Sequence, residues 1–153
     1  MLITKSLVDT NEYQYMRLSN DLDVLIISDP STDISAAAMT VNIGYYSDPV
    51  DMQGTAHFLE HMAFKGTEKR NSLQIAEAIE DVGGYINAYT SREMTAYYVR
   101  VLEPDVPLAM DVISDIVLNS VFDPSEVEIE RGVILSEIGQ SLDTPDDVIF
   151  DWL

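Results

Sequence analysis

Residues 54–67 read Gly54-Thr55-Ala56-His57-Phe58-Leu59-Glu60-His61-Met62-Ala63-Phe64-Lys65-Gly66-Thr67. The spacing predicts a short helix over about 55–64, closed by Gly66 just beyond its end. The stretch holds the only two histidines of the 153-residue chain. At i and i+4 on a helix their imidazoles point the same way and can chelate one ion. Glu60 projects near the same face. The bland alternative, two solvated surface histidines beside a chance glutamate, has to place both histidines at chelating spacing by accident.

Outward from this helix, strands are expected on both sides. Residues 13–19 and 22–28 read as two strands around a turn at Asn20-Asp21, with Leu22, Val24 and Ile26 at alternating positions. A third strand over 34–43 alternates Met39, Val41 and Ile43 with Thr40 and Asn42. Residues 44–53 form a loop. Beyond the motif, Asn71 and Gln74 have capping-box spacing, and Ile75, Ala76, Ile79 and Val82 line one helical face up to Gly83-Gly84. Strands over about 85–90 and 95–102 follow. Pro104 opens a helix with Leu108, Val112 and Ile116 one turn apart. Asp123-Pro124 opens the last helix, which runs to about Leu142. This order, βββ-α-α-ββ-α-α, predicts an α+β fold: a mainly antiparallel sheet with helices packed on one face. One domain over 1–153 is expected. Its last residues, Ile149-Phe150-Asp151-Trp152-Leu153, form an apolar patch without a stop signal, as in a truncated chain.

Composition narrows the chemistry. The chain has no cysteine, so a metal must be held by His, Asp or Glu. Two histidines leave tetrahedral zinc one protein ligand short, and that ligand must be a carboxylate. The last helix offers Glu126, Glu128, Glu130 and Glu137. Glu137 sits among Val133, Ile134, Leu135 and Ile138, where an ionised carboxylate is costly without a partner, and zinc would supply one. Glu130 lies two turns earlier on the same face. It suits a supporting or proton-handling role, or is an ordinary exposed acid, and the residues alone leave both open. Glu60 is expected to act as general base, taking a proton from a water whose pKa the metal lowers.

The net charge of −19 argues against nucleic acid as a partner. Residues 103–153 carry 13 Asp and Glu against the single Arg131. That field either solubilises the surface or draws basic peptides to a cleft. No apolar run approaches the roughly 20 residues of a membrane span. Neither a secretory signal nor a transit peptide is visible at the start, which points to a bacterial cytoplasm, with an organelle matrix as alternative.

The 54–67 stretch resembles the inverted zinc-protease signature of the pitrilysin family, which includes insulin-degrading enzyme and the mitochondrial processing peptidases. The resemblance continues through residues 83–91, Glu130 to Ile138, and Asp143 to Asp147. Residues 22–50 look more like the insulin-degrading side, and 54–152 more like the processing peptidases. The resemblance implies Zn2+ held by His57, His61 and Glu137, with Glu60 as base and Glu130 in a supporting catalytic role. The 76-residue separation of His61 and Glu137 fits the family's long spacing to its third ligand. Asn87 and Ala88 would lie on an edge strand that receives a peptide substrate as an added strand. Tyr89 and Phe64 would shape side-chain pockets or pack in the core, and Tyr97-Tyr98 are expected in the core. The resemblance also implies a second family half, or a partner subunit, that closes a chamber around the substrate. A non-catalytic scaffold or peptide-binding subunit is the competing expectation.

Overall fold

The computed structural model describes residues 5, 6 and 8–143. The apolar end at 149–153 and most of the 143–147 stretch lie outside the described residues. Strands β1 (Glu12–Arg17) and β2 (Asp23–Ser28) pair antiparallel, from Glu12 opposite Ser28 to Arg17 opposite Asp23. Asp21 turns the chain between them at a positive φ of 65°. Leu25, Ile26 and Ile27 are each about half exposed, so the alternation read over 22–28 does not mark a buried face within the described residues.

The main sheet contains β3 (Ile34–Val41), β4 (Tyr85–Thr90) and β5 (Thr95–Leu102) in the order β3-β5-β4, all antiparallel. Central β5 has Tyr97, Val99 and Val101 on its core face. Tyr98 points the other way, its ring 6.3 Å from those of Tyr85 and Tyr89. The pair expected in the core is therefore split, because successive strand residues face opposite sides.

Four helices follow from the sequence signals with small shifts. Helix α1 spans Thr55–Ala63. Its first turn is capped from a distance: Asp48 accepts from the backbone N–H groups of Gly54 (2.8 Å) and Ala56 (2.9 Å), and its charge suits a helix N-terminus. Helix α2 (Ser72–Glu80) starts at the Asn71/Gln74 capping box. Pro104 lies in a 3₁₀ turn, Glu103–Asp105, and α3 itself is Val106–Leu118. Helix α4 is Pro124–Leu142.

Ile75 and Ile79 of α2 and Ala109, Val112, Ile113 and Ile116 of α3 pack with the β5 residues into one core. At Gly84 an added Cβ would come within 2.8 Å of Ile79 and Val101, so only glycine allows α2 to run so directly into β4. A polar clamp ties the segment after α1 to α3. Asp115, 2% exposed, accepts from Thr67 Oγ1 (2.7 Å), Arg70 (2.9 Å) and Asn119 (3.0 Å). Val121 N–H donates to Gly66 O, and Ser120 Oγ donates to Met62 O. The C-terminal end of α1 is thereby fixed against the start of the chain that leads to α4. Among the described residues no helix is long and apolar enough to cross a membrane.

Candidate metal centre

Helix α1 buries Ala56, Met62 and Ala63 and turns His57 and His61 toward α4. The two Nε2 atoms are 3.1 Å apart, with the rings edge to face. Glu137 Oε2 on α4 lies 3.4 Å from His61 Nε2 and 3.8 Å from His57 Nε2. Among the described residues these three form the group of side chains whose donor atoms stand close enough together to hold a metal ion. Zinc with ligands at about 2.0–2.1 Å in a tetrahedron sets its ligand atoms about 3.3 Å apart. The donors already stand at that spacing, and the donor set, two imidazoles and a carboxylate, is one zinc accepts.

The burial argument made for Glu137 belongs instead to Glu130. The Glu137 side chain is 44% exposed, and Val133, Leu135 and Ile138 around it face solvent. Glu130 is 2% exposed. Its Oε2 accepts from His61 Nδ1 at 2.9 Å, and its Oε1 pairs with the Lys65 ammonium. Burial alone would raise its pKa, but the hydrogen bonds and charges of Lys65 and His61 outweigh burial and hold the carboxyl below its ordinary value. With Glu130 accepting from Nδ1, His61 in its neutral form presents a bare Nε2 to the site.

Glu60 is on the same helix, and Thr90 Oγ1 at the end of β4 donates to its Oε2. The buried Tyr97 phenol is pushed up to about 12, first by burial and then by the Glu60 charge. Tyr97 therefore stays neutral beside the carboxylate.

Strand β4 is an edge of the three-stranded sheet. Asn87 and Ala88 lie on it. Asn87 donates to Tyr85 Oη (2.6 Å), and its side-chain carbonyl accepts the Ala88 N–H (2.8 Å). Phe64 packs partly on the core, its ring 6.2 Å from Tyr97, and also lines a cavity of about 280 Å³ with Ile75, Ala76 and Tyr85. Tyr89 is 49% exposed on the outer face. The structure thus brings His57, His61, Glu137 and Glu130 together, and sets Glu60 against β4. Lys65, Thr90 and Asp48 were not singled out in the sequence. Lys65 lies in the 54–67 stretch and Thr90 in the 83–91 stretch, but nothing in their spacing shows what they touch.

The family model of the insulinase peptidases, peptidase family M16, matches residues 23–153. This chain belongs to the insulinase family. It is 42% identical over 139 residues to an uncharacterized zinc protease of Rickettsia felis, covering 91% of this chain and 34% of that protein. It is 43% identical over 137 residues to mitochondrial-processing peptidase subunit beta of Saccharomyces cerevisiae, covering 90% of this chain and 30% of the relative. The crystal structure of pitrilysin superposes with a TM-score of 0.83 at 35% identity, over 91% of this chain and 15% of that one. The chain therefore spans about a third of the length of the curated relatives it matches, and its α+β fold is that of the corresponding part of pitrilysin.

Proposed function

We propose that this chain carries the zinc site of a metalloendopeptidase that hydrolyses peptide bonds in extended polypeptides. The observation that carries the reading is the spacing of His57 Nε2, His61 Nε2 and Glu137 Oε2, 3.1 to 3.8 Å apart, in a chain of the insulinase family. Relatives named zinc protease support the choice of metal. When bound, zinc supplies Lewis acidity that lowers the pKa of water toward about 7 and polarises a carbonyl.

The chain's own groups do the remainder. Glu60 takes the proton of the attacking water and passes it to the leaving amine. Thr90 fixes one Glu60 oxygen, which leaves the other for proton transfer. Glu130 holds His61 by its Nδ1–H. Edge strand β4 receives the substrate backbone as an added strand, and Asn87 must release the Ala88 N–H for that pairing. The net charge of −19 favours substrates with basic residues. Because the chain spans about a third of its relatives, a second half or a partner subunit is proposed to close the site over the substrate.

The test is Glu60→Gln in the longer parent protein. The variant is expected to bind zinc as the parent does and to lose peptide cleavage by two orders of magnitude or more, about the contribution of a general base. Cleavage at the parent rate would remove Glu60 from the reaction. A parent protein that binds peptide but cleaves none would favour the scaffold reading.

A further inference from the structure

We propose that Lys65 is a positioning residue for the metal site. Its ammonium fixes the buried Glu130 carboxylate in the orientation that accepts the Nδ1–H of His61, and so keeps His61 Nε2 turned to the metal. The inference rests on the zinc reading above, and deepens it by adding a residue that touches neither metal nor substrate.

Glu130 divides its two oxygens between two partners, Oε1 to Lys65 and Oε2 to His61 Nδ1. Among the described residues it is one of two buried acidic residues, the other being Asp115 in the α3 clamp. A carboxylate at that depth keeps a fixed orientation only if both oxygens are satisfied, because an unsatisfied one turns toward water. Lys65 supplies the second partner from a well-anchored place. Its own N–H donates to Met62 O, and the flanking Gly66 and Thr67 are tied to Val121, Arg70 and Asp115. The lysine thus reaches from the rigid body of the protein to a helix that buries little else.

Two contrasts separate Lys65 from an ordinary surface lysine. Lys69 also makes an ion pair, with Asp111, but those side chains are 57% and 45% exposed, whereas Lys65 and Glu130 are 29% and 3% exposed. Of the two histidines, His61 alone has its Nδ1 held: among the described residues His57 Nδ1 makes no hydrogen bond. A His61 ring carrying its proton on Nε2 would point that proton at His57 Nε2, 3.1 Å away, into the position of the metal. Control of the His61 tautomer therefore decides whether the pair of histidines can chelate.

The experiment measures Zn2+ affinity of the full 153-residue chain by competition with a chelator, and the His61 tautomer of the metal-free chain by 15N NMR. Lys65→Met is expected to weaken zinc binding about 10- to 100-fold, the usual effect of removing a group that orients a ligand. In the same variant the Nε2–H form of His61 gains population at the expense of Nδ1–H. Lys65→Arg, which still offers donors to a carboxylate, restores most of the affinity. Lys69→Met leaves both readouts unchanged.

In a Glu130→Gln background, which also removes the buried charge, adding Lys65→Met produces no further loss. The double variant keeps the test available if Lys65→Met alone does not fold. The proposal is overturned by parent-like affinity and tautomer in Lys65→Met, or by an equal further loss in the Glu130→Gln background. If the parent chain takes up no zinc, the zinc reading fails by itself, and the tautomer measurement still decides the role of Lys65.

Discussion

Helix α1 buries Ala56, Met62 and Ala63 over nine residues, whereas α4 buries only Glu130 and Ile134 over nineteen. Along α4, Ile129, Leu135 and Ile138 are exposed by half or more. Both helices carry side chains of the proposed metal site, yet they are held by different forces. The histidine side is set by apolar packing against the sheet and by the Asp48 cap. The carboxylate side is set by charged hydrogen bonds to Glu130 and by Ile134. Apolar burial is indifferent to pH, and ion pairs are not, so the two halves of one site should fail under different conditions.

The largest effect is expected on the packed side. Met62, 1% exposed, should cost about 2–5 kcal/mol of stability when replaced by alanine, read from urea unfolding. A cost below about 1 kcal/mol would mean that α1 is not anchored by its apolar face.

Acid should act on the other half. The Glu130 pKa is lowered in the folded chain, since Lys65 and His61 outweigh the opposing effect of burial. A lowered carboxylate contributes stability in full above its unfolded value and loses it as pH falls through the folded value. Below the ordinary carboxylate range α4 should therefore lose hydrogen-exchange protection while α3, packed by Val112, Ile113 and Ile116, keeps it. Simultaneous loss in both helices would erase the distinction.

Smaller effects are expected at the helix cap and on the exposed face of α4. Asp48→Ala removes the distant cap and should cost about 0.5–2 kcal/mol in thermal unfolding, with α1 fraying first. Leu135→Ala, at a position 62% exposed, should change stability by less than about 0.5 kcal/mol. A larger loss there would show that the outer face of α4 is covered by something the present chain contains.

The same division explains what could be read in the sequence. The strands of the main sheet and all four helices were legible because period-2 and period-3.6 patterns, the Asn71/Gln74 box and Asp123-Pro124 are local signals. His57 and His61 were legible because their spacing is a helical repeat. Glu137 was read from apolar neighbours of which Val133, Leu135 and Ile138 prove to face solvent, and the buried acid of α4 is Glu130. Sequence neighbours on α4 could not show which side of a lightly packed helix faces α1. Lys65, Thr90 and Asp48 act through contacts 65, 30 and 8 residues away in sequence, and no local pattern encodes such pairs. The β1–β2 ribbon shows the converse, a local alternation with no buried face in the described residues.

The two halves are proposed to meet at one zinc ion. X-ray absorption on the zinc-loaded chain tests it most directly. One zinc per chain is expected, with two imidazole nitrogens and one carboxylate oxygen at about 2.0–2.2 Å, and loss of the protein oxygen in Glu137→Ala. No stoichiometric zinc, or a coordination shell unchanged by Glu137→Ala, would contradict it.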